Sequence, residues 1–208
     1  MANSTPPTQR RTHRRPPGPD EYVFNRREVA QFADVSLASV SKAIEHRAVS
    51  VKYGAKREVL LDAAGLMTIA VLNEAALPLP KGIKQRLGSW VRSDASRSGP
   101  SIKTFEVSPA VLIFVSANVR RLSEEAQRYA DARERWIEVN PDVKGGEPVL
   151  RGTRITAHGV AQRLDGGETL DELREDYPDL PVEAFETARI YARAHPRRGR
   201  PTPPWRRE

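Results

Sequence analysis

Residues 135–155 read RWIEVNPDVKGGEPVLRGTRI. Apolar residues stand at both ends of this string, and Asn, Asp, Pro and Gly are concentrated between them, which is typical of two short strands joined by a turn. Gly145, Gly146 and Gly152 supply backbone positions that other side chains disfavour. The string therefore predicts a β-hairpin followed by a second turn.

The sequence after this hairpin predicts three helices. The first covers residues 158–164 and ends at a Gly-Gly pair. The second begins at a capping box formed by Thr169 and Glu172, and prolines separate it from a third helix over residues 182–195. We therefore expect a small trihelical, helix-turn-helix-like domain with a leading β-hairpin over residues 135–195.

Near the N-terminus, two short helices are predicted to meet at a tight turn. Asn25 and Glu28 have the spacing of a capping box, and Ser36 can cap a second helix. Asp34 occupies the turn position at which glycine is usual, and Asp tolerates the left-handed backbone region better than most residues. This pattern predicts a helix-turn-helix.

The second helix and the segment after it carry the candidate DNA contacts. Residues 51–60 predict a hairpin that turns at Gly54, in the position of a wing, and residues 47–57 hold four basic side chains and no acid. Short hydroxyls and cations suit contacts with phosphates and base edges. The candidate DNA-binding residues are Ser36, Ser39, Ser41, Lys42, His46, Arg47, Lys52, Lys56 and Arg57. The alternative is that these helices only form a core or contact protein.

Three helices and one strand are predicted for the middle of the chain. Helices are expected over residues 62–74 and 82–92, a strand over residues 103–107, and a long helix over residues 109–133. The apolar run at residues 111–115 is expected to be buried in that long helix. The charged second half of the helix keeps one apolar stripe, which suggests packing against a second copy.

The charge of the chain is concentrated at its ends. The net charge is +7; residues 1–20 carry four Arg against one Asp, and residues 196–208 carry five Arg against one Glu. Both ends are rich in proline, so we expect disordered basic tails. Residues 166–187, by contrast, hold eight acids against one Arg. DNA would avoid that surface, unless the run is simply a solvated helix face.

Several function classes are excluded by what the sequence lacks. The chain has no cysteine, so disulfides and Cys-ligated metals are excluded, and its four histidines are scattered. The Gly-rich string lacks the strand-loop-helix context of a phosphate-binding loop. Arg151 and Arg154 are expected to pair with acids of the following helices, and contact with phosphate is the alternative. We expect no catalysis, no cofactor, no metal, no membrane span and a cytoplasmic location.

Two parts of the sequence resemble known protein families. Residues 22–76 resemble the MerR-like winged helix-turn-helix family, with Asp34 in place of the usual glycine. The string GGEPVLRGTRI resembles the signature of a widespread bacterial and archaeal family of domains of unknown function, and the likeness extends over residues 135–195. Members with an N-terminal DNA-binding domain are similar to VapB-like antitoxins of type II toxin–antitoxin pairs, whose partner is a PIN-domain ribonuclease.

The second resemblance implies a role for the C-terminal tail. Such a toxin holds Mg²⁺ or Mn²⁺ with a cluster of carboxylates, and guanidinium groups of an extended tail can occupy that cluster. The candidate toxin-binding residues are Arg197, Arg198, Arg200 and Trp205. Loose contact with nucleic acid, or a purely solubilising role, is the alternative for this tail.

Together these patterns predict a mainly α-helical, two-domain antitoxin that represses its own operon. The predicted units are a helix-turn-helix domain at 21–92, a connecting segment at 93–134 and an antitoxin-type domain at 135–195, between basic tails at 1–20 and 196–208. Partners are operator DNA and a PIN-domain toxin, with a homodimer or a hetero-oligomer as the assembly. The alternative function is a stand-alone DNA-binding regulator whose C-terminal domain dimerises or senses a ligand.

Overall fold

A computed structural model describes residues 22–54, 57–95 and 104–197. Eight α-helices and three small antiparallel sheets make up these described residues. The predicted mainly α-helical class with a C-terminal β-hairpin is therefore confirmed.

The elements follow one another in three groups. The first group is β1 (Val23–Asn25), α1 (Arg26–Phe32), α2 (Leu37–Glu45), β2 (Lys52–Tyr53), β3 (Val59–Asp62), α3 (Ala63–Ala75) and α4 (Lys81–Ala95). The second is β4 (Thr104–Ser108), β5 (Val111–Phe114) and α5 (Ala117–Trp136). The third is β6 (Ile137–Glu138), β7 (Val149–Leu150), α6 (Ala157–Asp165), α7 (Leu170–Asp176) and α8 (Val182–Ala194).

The helices begin where capping side chains predict. The Asn25 side-chain oxygen accepts hydrogen bonds from the backbone N–H groups of Arg27 and Glu28, at 2.8 and 2.9 Å, and a Glu28 oxygen accepts the Asn25 N–H at 2.7 Å. Thr169 and Glu172 form the second predicted capping box. Single side-chain caps begin α2, α3, α5 and α6, from Ser36, Asp62, Ser116 and Thr156. These caps satisfy N–H groups that the first helical turn leaves unpaired.

A three-stranded sheet lies beside the two N-terminal helices. Strand β3 is central and pairs antiparallel with β1, where Phe24 lies opposite Leu61, and with β2, where Tyr53 lies opposite Val59. The predicted hairpin at residues 51–60 is confirmed. Strand β1 was not predicted, because three residues are too few for an alternating pattern to be recognised.

The long helix predicted from Pro109 is wrong in its first part. Pro109 and Ala110 form the turn between β4 and β5, and α5 begins only after Ser116, whose hydroxyl accepts the Val119 N–H at 3.1 Å. Proline suits a turn, and the β-branched and aromatic residues that follow favour an extended strand. The local composition therefore outweighs the helical spacing on which the prediction rested.

The expected burial of residues 111–115 is wrong for the same reason. Ile113 and Val115 are buried, whereas Leu112 and Phe114 are each 58% exposed. Successive side chains of a strand point to opposite faces, and only one face of this hairpin covers the core. The other face carries apolar side chains in contact with solvent.

The buried apolar residues form two cores. The first joins β1–β3 and α1–α4 to the β4–β5 hairpin and to α5, with Phe24, Leu66 and Leu87 fully buried. The apolar stripe of α5 belongs to this core: Ala126 is 1% and Tyr129 is 4% exposed. Its predicted packing against a second copy is therefore wrong, because the stripe is covered within the chain.

The second core holds the C-terminal helices together. It is built around Leu150, Leu173 and Phe185, each fully buried. Strand β6 pairs with β7 so that Ile137 lies opposite Leu150, which confirms the hairpin predicted from the Gly-rich string. Helices α5 and α8 contact each other, so the two cores are packed side by side.

The turns of the Gly-rich string depend on glycine, as predicted. Gly145, Gly146 and Gly152 have φ angles of +65°, +83° and +75°, values that side chains bearing a Cβ disfavour. The expectation for Arg151 is wrong. Its guanidinium donates to the backbone oxygens of Arg135 and Glu134, at 2.9 and 3.0 Å, so it satisfies carbonyls at the end of α5 rather than acids.

Candidate nucleic-acid interface

The turn between α1 and α2 has the geometry of a helix-turn-helix. Asp34 adopts φ +50°, the left-handed conformation expected of that position. The Val35 N–H donates to the Ala30 carbonyl at 3.0 Å, which closes the turn, and Ser36 then caps α2. The buried side chains of α2, Val40 and Ala43, hold the helix against the first core. Local sequence therefore orients the opposite face of α2 toward solvent.

Four of the predicted contact residues lie at exposed positions at the start of α2 or along it. Ser36, Ser39, Ser41 and Lys42 are all exposed. The Ser36 and Ser39 hydroxyls lie 3.0 Å apart, so these two side chains are engaged with each other at the start of the helix. Lys42 makes no ion pair with any residue that the structure describes. It is the side chain among them best placed to bind a phosphate.

The C-terminal end of α2 is held by α4. The His46 carbonyl accepts a hydrogen bond from the Gln85 side chain at 3.0 Å, and the half-buried His46 ring borders a cavity of about 190 Å³ between α2, α3 and α4. Its Nδ1 is buried and has no hydrogen-bond partner among the described residues. His46 thus lies at the margin of the predicted contact face, and its ring faces that cavity.

The basic side chains that follow lie on the surface. Arg47 and Arg57 are exposed and have φ angles of +57°, and Lys52 is exposed on strand β2. The turn of the wing is closed by the Gly54 N–H, which donates to the Glu58 carbonyl at 2.9 Å. Lys56 lies outside the described residues. The structure therefore places Lys52 and Arg57 on the same short wing, the β2–β3 hairpin that follows α2 in the chain.

Tyr53 is an exposed aromatic residue that the sequence did not suggest. It is 70% exposed and lies between Lys52 and Gly54 on the wing. The wing has only two paired residues in β2, and too little of the core lies beneath it to bury a tyrosine. An exposed aromatic ring next to a cation is a candidate contact with a sugar or a base.

A buried ion pair fixes α1 to α5. The Glu28 carboxylate is fully buried and accepts hydrogen bonds from Arg133 at 2.6 Å and from the Tyr129 hydroxyl at 2.8 Å. Burial, and then the Glu28 charge, raise the pKa of the Tyr129 hydroxyl above its ordinary value, which keeps it a donor. Arg133 also donates to the Val23 carbonyl at 2.9 Å. The first helix of the helix-turn-helix is thereby anchored to the 20-residue helix α5.

A second set of contacts joins α1 to the end of α8. The Asn25 amide nitrogen lies 2.8 Å from His195 Nε2, and the His195 ring stacks on Tyr191 with centroids 3.9 Å apart. The Asn25 oxygen is committed to capping α1, so its NH₂ group donates and His195 Nε2 accepts. The chain therefore leaves α8 close to the N-terminal end of α1.

The structure describes one of the four candidate toxin-binding residues. Arg197 lies 3.3 Å from a Glu147 oxygen, and both side chains are exposed to solvent. Exposed pairs of this kind contribute little to stability, so Arg197 can exchange Glu147 for another carboxylate. Arg198, Arg200 and Trp205 lie outside the described residues.

The acidic surface at residues 166–187 is partly neutralised. Arg163 pairs with Glu168 and Asp176, and Glu183 accepts a hydrogen bond from the Trp136 indole at 2.7 Å. The remaining acids are exposed, among them Asp171, Glu172, Glu175, Asp179 and Glu186. This surface disfavours a polyanion, in contrast to α2 and the wing.

The described residues show neither a metal centre nor a membrane span. No group of three or more His, Asp or Glu side chains among them is arranged to hold a metal ion. None of the helices in the described ranges has both the length and the apolar character needed to cross a bilayer.

Comparison with known proteins finds matches to parts of the chain. A relative from Sinorhizobium fredii (strain NBRC 101917 / NGR234), named "Uncharacterized protein y4eO", is 40% identical over 82 residues, which are 39% of this chain and 37% of the relative. This chain thus matches little more than a third of that relative's length. The crystal structure of Rv2018 from Mycobacterium tuberculosis has a TM-score of 0.36 and 13% identity, over 79% of this chain and 95% of that one. A match at that TM-score is too distant to support a conclusion.

The family comparison agrees with the Gly-rich string. The model described as "Protein of unknown function (DUF433)" matches residues 137–192, which contain β6, β7 and α6–α8 except for the last two residues of α8. The expected domain of unknown function is therefore confirmed in the C-terminal part. Residues 137–192 are therefore similar in sequence to DUF433 domains.

Proposed function

We propose that this chain is a DNA-binding antitoxin of a type II toxin–antitoxin pair. In this proposal the MerR-like helix-turn-helix binds operator DNA, and the C-terminal part captures a PIN-domain ribonuclease in the cytoplasm. The observation that carries the proposal is the set of exposed hydroxyls and the exposed Lys42 on α2, followed in the chain by a wing on which Lys52 and Arg57 are exposed. Hydroxyls and cations on a helix of this length fit the major groove.

The distribution of charge favours one orientation on DNA. Lys42, Arg47 and Arg57 are exposed cations on and around α2, whereas the exposed acids of α7 lie in the C-terminal domain. A polyanion is attracted to the first surface and repelled by the second, so the helix-turn-helix approaches the duplex first. The C-terminal domain then remains free for a protein partner.

Removing two of these cations is expected to weaken DNA binding. The double variant Lys42→Ala/Arg57→Ala should raise the Kd for a duplex from the chain's own promoter about 30-fold and reduce the salt slope by about two, one for each lost phosphate contact. Fluorescence anisotropy at several salt concentrations measures both quantities. The control Arg121→Ala/Arg174→Ala removes the same charge outside the helix-turn-helix and should leave both values unchanged. Equal losses in the two variants would contradict the assigned interface.

The antitoxin half of the proposal rests on the GGEPVLRGTRI resemblance and on the chemistry of the C-terminus. Arg197 is already paired with a carboxylate, Glu147, through a contact that solvent weakens. The metal-binding carboxylates of a PIN-domain active site would offer it and the following arginines a denser cluster of negative charge. The tail begins just after α8, whose end lies near the start of α1. In this proposal toxin is therefore captured close to the DNA-binding helices.

Removal of the tail is expected to abolish toxin capture. Untagged product of the adjacent small gene should co-purify with the full-length tagged chain and should be captured at least tenfold less by a chain ending at Pro196. That boundary keeps His195, which contacts Asn25 and accepts a hydrogen bond from His158. A chain lacking residues 1–20, the other basic Pro-rich end, is the control and should capture normally. If nothing co-purifies with the full-length chain, it is a stand-alone regulator.

A further inference from the structure

The cavity of about 190 Å³ between α2, α3 and α4 is lined by apolar and by basic side chains, and we name it the basic cavity. Ala43 of α2 and Ile69 and Leu72 of α3 are among the apolar ones. Ala43 and Ile69 are buried members of the first core, so this part of the lining is fixed by the fold. Pockets for drug-sized ligands measure about 300–1,000 Å³, so the basic cavity suits a smaller molecule.

Two lysines from different helices border the basic cavity. Lys42 lies on α2 and Lys84 on α4, and neither forms an ion pair with a residue that the structure describes. No Asp or Glu of the described ranges borders the cavity. Lys84 is half-buried, and a cation that is partly removed from water is usually paired with an acid. The cavity therefore carries positive charge that the described residues leave unbalanced.

His46 adds a hydrogen-bond donor to the same cavity. Its Nδ1 is buried and has no partner among the described residues, so a proton on Nδ1 would have no acceptor. The neutral ring therefore carries its proton on Nε2, and no described residue accepts a hydrogen bond from this atom. An anion is the kind of ligand that accepts hydrogen bonds from two ammonium groups and an imidazole N–H together.

Contacts between α2 and α4 hold these donors in place. The Gln85 side chain of α4 donates to the His46 carbonyl at 3.0 Å. Gly88 of the same helix lies so close to the Ala48 backbone that an added Cβ would be 1.7 Å from the Ala48 carbonyl oxygen. The separation of the two helices at this end is therefore set by the backbone. A site formed before its ligand arrives loses less conformational freedom on binding.

We propose that the basic cavity binds a small organic carboxylate. The ammonium groups of Lys42 and Lys84 and the Nε2 of His46 donate to its oxygens. Its apolar body lies against Ile69 and Leu72. An inorganic anion would leave these apolar side chains in contact with water, and a neutral apolar molecule would leave the two charges unpaired. The lining therefore fits a ligand with one charged end and a compact apolar body.

A bound carboxylate changes the surface that α2 offers to DNA. Lys42 borders the basic cavity and is also a proposed phosphate contact, so a carboxylate paired with Lys42 lowers the positive charge available to the duplex. The ligand should therefore weaken promoter binding. Only this step rests on the proposed DNA binding, and the binding of the carboxylate itself does not.

An NMR titration of the nitrogen-labelled full chain with benzoate tests the site. Benzoate carries a carboxylate on a compact ring, and benzamide has the same shape without the charge. Benzoate should shift the backbone amide signals of His46, Leu72 and Lys84 to saturation. It should bind at least about tenfold more tightly than benzamide, the factor that one charge-assisted hydrogen bond supplies.

Acetate and inorganic phosphate complete this comparison, because they carry the charge without the apolar body. Both should bind more weakly than benzoate. The proposal is overturned if benzoate causes no saturable shift at the cavity, or if benzamide binds as tightly as benzoate. It is also overturned if phosphate binds as tightly as benzoate, since the lysines would then form a phosphate contact only.

Removing one charge from α4 locates the site. Lys84→Gln keeps a long polar side chain without the charge and should raise the benzoate Kd about tenfold. Lys81→Gln is the matched control, because Lys81 is exposed on the same helix and does not border the cavity, and it should bind benzoate as the natural chain does. The same spectra show that each variant is folded. Equal effects of the two substitutions would contradict the assigned site.

Promoter binding is measured separately by fluorescence anisotropy. Benzoate at a concentration that saturates the natural chain should raise the Kd of that chain for the duplex and should have little effect on Lys84→Gln. If benzoate binds and the duplex Kd stays constant, the carboxylate site is supported and the regulatory step is wrong. If the chain binds no promoter, the proposed function fails, and the NMR titration still decides whether the cavity binds a carboxylate.

Discussion

We expect Glu28→Gln to lower the free energy of unfolding by about 3 kcal/mol, the loss typical of removing one partner from a buried ion pair. Glu28 is fully buried, and the Arg133 side chain is 24% exposed, so the guanidinium has little water to replace the lost carboxylate. Glutamine keeps the side-chain oxygen that accepts the Asn25 N–H, because a capping box tolerates Gln in place of Glu. The change therefore isolates the charge from the helix cap.

Urea unfolding followed by circular dichroism measures this loss, and two further variants locate its origin. Glu125→Gln removes a half-buried carboxylate of α5 whose contact with Arg121 is 3.9 Å long, and it should cost less than 0.5 kcal/mol. In the double variant Glu28→Gln/Arg133→Met no buried charge is left alone, so its loss should be smaller than the sum of the two single losses. A single-variant loss below 1 kcal/mol would show that water reaches Arg133.

Glu28 also shows which part of the fold could be predicted from the sequence. Its capping role follows from a spacing of three residues, and the structure confirms it. Its partners Tyr129 and Arg133 lie 101 and 105 residues away, and no local pattern connects them. Residues 93–134 were predicted to be a segment that connects the helix-turn-helix domain to the C-terminal domain. In the structure, the apolar stripe of α5 instead completes the first core. Capping and periodicity are local signals, and the packing of one helix on another is not.

In the candidate DNA-binding surface, too, local features were predicted and features that depend on packing were not. The turn at Asp34, the cap at Ser36 and the hairpin around Gly54 were predicted, because each depends on a few neighbouring residues. The exposure of Tyr53 and the position of the His46 ring were not, since both depend on how much of the core lies beneath them. Predictions from sequence thus located the helix-turn-helix but not all the side chains that it presents.

We expect Gly88→Ala to destabilise the chain by about 3 kcal/mol, at the upper end of the cost of forcing extra volume into a packed interior. A Cβ added at Gly88 would lie 1.7 Å from the Ala48 carbonyl oxygen and 2.9 Å from its carbonyl carbon. Both atoms belong to the backbone, so no side chain can rotate away. Either α4 or the segment after α2 must move by more than an ångström to accommodate one methyl group.

The site of this contact links stability to the proposed DNA binding. Ala48 is buried three residues after the end of α2, and Gln85, on the same helix α4 as Gly88, donates a hydrogen bond to the His46 carbonyl. Displacing Ala48 shifts the C-terminal end of α2 relative to the wing, so Gly88→Ala should also weaken the proposed promoter binding at temperatures where the variant is still folded. Gly82→Ala is the control, because no atom lies within 4 Å of a Cβ added there. In an exposed first turn alanine favours the helix, so Gly82→Ala should be neutral or stabilising by up to about 1 kcal/mol. If the two variants unfold at the same urea concentration, α4 does not lie against the Ala48 backbone, and the position of α2 is set by its own core residues instead.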